Sequence, residues 1–343
     1  MRAAYLPGGR RVDLREVDTP VPGPGQVLVR VRASTICGSD IRAIYREHLG
    51  TGAEAYQGVV GGHEPAGEVV EVGPGCRERA VGDRVVVYHI SGCGLCRECR
   101  RGYQISCTGS GRAGYGWQRD GGHADFVLAE ERDLLPLPDA LTFVDGAIVA
   151  CGGATAYEAL RRAEVSGDDS VLVTGLGPVG QLVGLFARAH GSGLVVGTDP
   201  SPQRRRAALD LGAVHVALDP GDAAGLGEVL GEGADVAVDA SGAGPAQLQA
   251  LELTRRWGRT VLVGEGGRLS VDVSEVIIHK QLTVHGSWVA STWRTADLLE
   301  RLPRWGVHPE VVVTHRFGLD EVARAYEVAD SAAGGKVAVL PHG

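Results

Sequence analysis

The sequence predicts an α/β protein of two domains, a β-rich domain followed by a doubly wound parallel sheet, and three observations carry that prediction. The chain has 343 residues, where roughly 100–200 residues per domain is usual. From 27 to about 137 short valine-rich runs are broken by Gly, Pro and Asp, the texture of strands and tight turns. After Cys151 strand, glycine turn and helix follow one another repeatedly, which is how parallel sheets are built.

Taken in order, a strand at 170–174 leads through a glycine-rich turn into a helix at 179–190, and a strand at 194–198 follows. A helix at 203–211 and strands at 214–218, 234–238, 260–263 and 282–284 continue the alternation, giving five or six parallel strands. From about Thr295 the pattern is an amphipathic helix, a strand at 311–313, a helix at 320–329 and a last strand at 336–340, a tail able to return to the first domain. There is no internal repeat or low-complexity linker, so the boundary near residue 152 is a change of texture.

Composition narrows the function classes. With 44% hydrophobic and 22% charged residues the chain reads as a packed soluble body. Its 52 glycines, about double the usual share, favour tight turns and close backbone approaches. A net charge of −8 argues against nucleic acid and anionic membrane and for a small-molecule partner. No charged-then-apolar leader follows Met1, and no stretch nears the roughly 18 apolar residues of a membrane span, so a cytoplasmic protein is expected. The chain has seven cysteines, and in a reducing compartment clustered cysteines point to metal before disulfides.

Cys93, Cys96, Cys99 and Cys107 fall within fifteen residues, with two, two and seven residues between them. That is the spacing of a tetrahedral all-cysteine zinc site, closed and therefore structural. The expected lobe runs over 92–108, and Arg97, Arg100 and Arg101 are placed to offset four thiolates.

Three further strings have to be read together: Cys37-Gly38-Ser39-Asp40, Gly61-Gly62-His63-Glu64-Pro65-Ala66-Gly67-Glu68, and Ala150-Cys151-Gly152-Gly153-Ala154-Thr155-Ala156-Tyr157-Glu158. In order and separation they resemble the zinc-containing medium-chain alcohol dehydrogenases, and the resemblance runs over essentially the whole chain. It implies a GroES-like β-rich catalytic domain, 1–152 plus 289–343, with an inserted doubly wound Rossmann domain, 153–288. It also implies a second, catalytic zinc on Cys37, His63 and Cys151, with a fourth position open to substrate. In the same reading Ser39 takes the alcohol proton, Asp40 orients His63, and Glu64 lies behind the metal as an occasional ligand. Many relatives place a relay histidine five residues after the first cysteine. Here that residue is Arg42, which stays protonated, so proton exit by His48, water or the cofactor ribose is expected.

Gly175-Leu176-Gly177-Pro178-Val179-Gly180 follows a strand and opens a helix, the context of a dinucleotide site. Asp199 closes the next strand, where a carboxylate accepts ribose hydroxyls and repels a 2′-phosphate, which favours NAD over NADP. Arg204, by resemblance, and Gly264 complete the expected cofactor contacts, although the run Arg204-Arg205-Arg206 pulls toward a phosphate.

The resemblance points to a cleft between the domains walled by Ser39, His89, Trp117 and the segment 286–289 with Trp288. Polyol and threonine dehydrogenases of the superfamily often carry glutamate as third ligand, so Cys151 tilts the reading toward alcohol dehydrogenases of the cysteine type. The expected activity is hydride transfer between a primary or secondary alcohol, or its carbonyl, and NAD, in a homodimer or homotetramer. Two enzyme alternatives are an NADP-linked carbonyl reductase and a polyol or cyclitol dehydrogenase. A catalytically silent, zinc-stabilised binding module is the alternative of another class, and the complete Cys37–His63–Cys151 set and the acidic charge balance argue against it.

Overall fold

Strand-forming residues at 26–36 build the spine of the first unit. Gln26–Ile36 pairs antiparallel with Glu64–Val72, Phe126–Glu130 and Lys336–Leu340. In this computed structural model, which describes residues 1–48, 52, 55–331 and 335–342, the sheet order is Val313–Gly318, Lys336–Leu340, Gln26–Ile36, Glu64–Val72, Arg84–Val87, Leu134–Pro136. Alternation buries Val27, Val29 and Val31 with Val69, Val85, Val87, Tyr115 and Val127. At about 1.5–3 kcal/mol per fully buried valine-sized side chain, such a layer is a main source of stability.

The chain divides into two compact units, 1–154 with 291–343 and 155–290. The last strand of the first unit lies between Gln26–Ile36 and Val313–Gly318, parallel to the latter. Residues 309–312, expected partly as strand, form a 3-10 turn, because Pro309 fixes its own φ and starts a helix readily. The strand begins only at Val313. The following α-helix spans Val322–Asp330, after a 3-10 turn at Leu319–Glu321.

The second unit is a six-stranded, all-parallel sheet in the order Val216–Leu218, Leu194–Thr198, Ser170–Thr174, Ala234–Asp239, Thr254–Leu262, Thr283–Gly286. Numbered along the chain this is 3-2-1-4-5-6, the doubly wound order, whose reversal sits beside the first strand. Helices Pro178–Ala189, Pro202–Asp210, Ala223–Leu230 and Gly244–Glu252 alternate with the strands. Leu172, Val196, Ala234, Ala237 and Ala250 form the core of one sheet face with Leu226.

Candidate active site

The spine strand ends at Ile36 and delivers Cys37 to the N-terminus of a one-turn helix, Gly38–Asp40. Asp40 turns back, and its Oδ2 accepts from the Cys37 backbone N–H at 2.9 Å. Its other oxygen, Oδ1, lies 2.8 Å from His63 Nδ1. A carboxylate only accepts, so Nδ1 carries the proton and Nε2 is left as a ligand atom. His63 itself stands just before the strand Glu64–Val72.

Cys151 arrives by a third route. It sits in a π-helical turn, Val149–Gly153, between the α-helices Phe143–Ile148 and Ala154–Arg162. π-turns of this kind are rare and concentrate at functional sites. Together Cys37, His63, Glu64 and Cys151 place one donor atom each within 4.8 Å of one another. Two sulfurs, one imidazole nitrogen and a carboxylate are a donor set that zinc accepts.

Burial shapes the electrostatics. The hydrogen bond with Cys151, helped by Lys336 and His63, holds the Cys37 thiol well below its ordinary value despite burial. Glu64 is fully buried, its Oε2 2.5 Å from Lys336 Nζ and bonded to the Thr35 hydroxyl. Burial pushes the Glu64 carboxyl up to about 7, whereas Lys336 is also raised, by the Glu64 and Cys37 charges acting against its burial. The short contact decides for an ion pair. His89 stands beside His63, ring centroids 5.4 Å apart, and its Nδ1 is 2.7 Å from the Ala150 carbonyl. Burial above all, with His63 beside it, pushes His89 down to about 4, so it is a neutral ring with Nε2 as acceptor.

The remaining expected residues fall in varied settings. Ser39 is half-buried on the one-turn helix after Cys37. The His48 Nε2 is bonded to the Leu6 carbonyl at 2.7 Å, with Tyr56 beside the ring. Trp117 packs against the core that contains Leu6, Ile36 and Tyr326, and Trp288 is exposed.

In the lobe, Cys93 and Cys99 sulfurs are 4.0 Å apart and those of Cys96 and Cys107 3.8 Å. Zinc–sulfur bonds near 2.3 Å at tetrahedral angles set sulfurs about 3.8 Å apart, so the cage fits. Backbone N–H groups of Cys96, Cys99 and Gly109 point at Cys93, Cys96 and Cys107 sulfurs respectively, at 3.3–3.5 Å. Backbone N–H groups of Cys99 and Thr108 push the Cys96 thiol down to about 5.

The glycine motif lies where the second unit's order reverses. Gly175 has φ +91°, open to glycine, and a Cβ there would strike Ser241. A Cβ on Gly180 would come 1.8 Å from the Gly175 carbonyl, so helix and strand approach only with glycine. Gly177 caps the helix that begins at Pro178 and Val179, with open space around it. Gly264 lies against the Gly242 backbone. Asp199 is buried, its carboxylate accepting from Leu176 N–H at 2.9 Å and Ser201 N–H at 2.8 Å, with Arg204 at 3.7 Å. Arg205 bonds to the Asp199 carbonyl and Asp219, and Arg206 to Asp210.

Sequence reasoning missed Lys336, whose place at the head of an apolar strand gave the only signal, and the buried pair His123 and Tyr326.

Residues 23–139 match the alcohol dehydrogenase GroES-like domain, and residues 178–303 the zinc-binding dehydrogenase family. The chain is 48% identical over 346 residues to the uncharacterized zinc-type alcohol dehydrogenase-like protein YphC of Escherichia coli (strain K12), covering 99% of this chain and 98% of that one. It is 35% identical over 335 residues to the L-threonine 3-dehydrogenase of Pyrococcus abyssi (strain GE5 / Orsay), covering 96% and 94%. The structure of 2R,3R-butanediol dehydrogenase from Bacillus subtilis, 28% identical, superposes with a TM-score of 0.86 over 99% of both chains. The chain belongs to the zinc-containing medium-chain dehydrogenases, and it is an oxidoreductase built from a GroES-like and a Rossmann-like domain. No helix among the described residues is long and apolar enough to cross a membrane.

Proposed function

We propose that this protein oxidises a secondary alcohol bearing a neighbouring hydroxyl or amino group, with zinc held by Cys37, His63 and Cys151 and NAD as hydride acceptor. The observation that carries the reading is the convergence of four donors from three separate chain segments within 4.8 Å. Bound there, zinc supplies Lewis acidity toward a substrate hydroxyl, and NAD takes the hydride. Cys93, Cys96, Cys99 and Cys107 hold a second, structural zinc.

The chain's own residues do the rest. The Ser39 hydroxyl accepts the alcohol proton, and Asp40 fixes the His63 tautomer and orientation. Lys336 ties down one oxygen of Glu64. His89, neutral and with Nε2 as acceptor, binds the substrate's second polar hydrogen. That last role is supported by the names of two relatives, since threonine and 2,3-butanediol both carry a heteroatom beside the secondary alcohol. Asp199 accepts the ribose hydroxyls, and its charge disfavours a 2′-phosphate.

Metal analysis and a cofactor comparison test the reading. Two zinc ions per chain and a kcat/KM favouring NAD are expected, and a clear NADP advantage overturns the cofactor choice. A Ser39→Ala variant with near-normal turnover removes Ser39 from the mechanism. Self-association is expected through the edge strand Thr283–Gly286, near which Val273, Ile278, Val284 and Trp288 are exposed. A monomer by light scattering rejects that interface.

A further inference from the structure

Behind the ligand cluster, buried polar atoms accumulate without protein partners. Both ring nitrogens of His123, the hydroxyls of Tyr326 and Ser34, and Glu64 Oε1 have none, and all four side chains are fully buried. Folded proteins pair the great majority of such groups with protein or ordered water. The two neighbouring buried histidines obey the rule within the protein, His63 through Asp40 and His89 through Ala150. His123 does not.

The geometry ties these groups to the site. The His123 ring meets Tyr326 edge-on, centroids 5.5 Å apart and planes at 85°. On its other side it fills the space where a side chain at residue 62 would go: a Cβ on Gly62 would lie 2.5 Å from His123 Nδ1, and the next residue is His63. Its main chain is pinned too, His123 N–H to the Gly61 carbonyl and its own carbonyl to Ala4 N–H, each at 2.9 Å. Tyr326 lies 5.1 Å, ring to ring, from Tyr45, which ends the turn Ile41–Tyr45 that follows Asp40. The two rings thus brace the two segments that carry His63 and Asp40.

Among charged groups Asp40 exerts the strongest pull on both His123 and Tyr326, with His63 and Lys336 also acting on His123. Its carboxylate spends one oxygen on His63 and one on the Cys37 N–H. A carboxylate accepts about four hydrogen bonds, so capacity remains. A buried water typically makes 2–4 hydrogen bonds to otherwise unsatisfied groups, and the atoms here supply them.

We propose that His123 and Tyr326 hold internal water against Asp40, which makes them positioning residues that extend the Asp40–His63 contact by one hydrogen-bonded layer. The inference rests on the reading of Cys37, His63 and Cys151 as a metal site. Its consequence is that metal retention and ligand-field symmetry depend on two side chains that touch neither metal nor substrate.

A high-resolution crystal structure of the wild-type holoenzyme, together with His123→Phe, Tyr326→Phe and the double variant, tests this. Ordered water bonded to His123 or Tyr326 and to Asp40 is expected. In cobalt-substituted protein the phenylalanine variants shift the visible absorption bands. In competition with a chelator they lose metal about 10-fold more readily, the lower end of what outer hydrogen-bond partners contribute. His123→Gln, which keeps polar atoms in the space, restores most of that retention. Unfolding temperature stays near wild type, since Phe keeps the packing. A dry wild-type pocket overturns the proposal, as does a double variant with wild-type metal retention and spectrum. If the wild-type protein carries no metal at this cluster, the metal reading fails separately, while the crystallographic water still decides this one.

Discussion

The four-cysteine lobe and the cluster at Cys37, His63, Glu64 and Cys151 use similar donors and opposite construction. The lobe's ligands lie within fifteen residues, posed by short turns and backbone N–H groups directed at sulfur. The cluster's ligands come from a strand end, a strand start and a π-turn, with Cys37 and Cys151 separated by 113 residues. A local site requires only its loop to close. A dispersed site exists only when sheet register and helix phase are both right, and in return it is buried deeply enough to shift protons. On the proposed reading, fold stability rests on the first and catalysis on the second.

The most drastic way to break this comparison is to remove one ligand from each. His63→Gln, whose amide still offers Asp40 a donor, should lower kcat/KM well beyond the 10–100-fold typical of outer-shell losses while leaving Tm near wild type. Cys96→Ser should instead cost about 3 kcal/mol of stability, roughly 6–12 °C in Tm, with activity of the folded fraction largely kept. Steady-state kinetics and thermal unfolding on both variants check this, and matching profiles would erase the distinction.

A milder cut sharpens it. Asp40→Asn keeps the shape but can present a donor toward His63, so the imidazole loses its fixed tautomer. A 10–100-fold loss of metal affinity or turnover is expected, whereas the analogous outer contact in the lobe, a backbone N–H, cannot be mutated away. Chelator titration of the variant measures it.

The smallest effect concerns how the dispersed cluster is anchored. Asp145, on the helix leading to Cys151, accepts from Thr142 N–H, from Glu310 N–H and from His308 Nδ1 at 2.8 Å. The Asp145 hydrogen bond and charge, with Glu310 adding, raise His308 above its ordinary value. A raised folded value means that the contribution is complete below pH about 6.5 and disappears as pH climbs through the folded value. His308→Asn should therefore lower Tm by about 1–2 °C near pH 6 and converge on wild type in alkali, the half-exposed ring limiting the size. A pH-independent difference would contradict the ion pair.

How much of this could be read in advance follows the same division. The lobe and the Gly175–Gly180 turn are legible because their chemistry is local in sequence. Cys37, His63 and Cys151 were singled out only through the strings around them, since a lone histidine has no spacing to judge. The helices at Ala223–Leu230 and Gly244–Glu252 escaped because glycine- and alanine-rich segments show little amphipathic period. Lys336, His123 and Tyr326 were invisible for a different reason. They are polar residues set in apolar patterns, and only the packed fold shows that they face inward.

The π-turn at Cys151 has one further consequence. Its Ala150 carbonyl accepts the His89 proton one residue before the cysteine that faces the other ligands. An extra residue in a helical turn rotates everything after it by about 100° relative to an ideal α-helix. Deleting one residue here would restore a regular helix, swing the sulfur out of reach and strand the imidazole together. On the proposed metal reading, a one-residue slip in helix phase is thus a single genetic step that removes the centre without touching any proposed ligand.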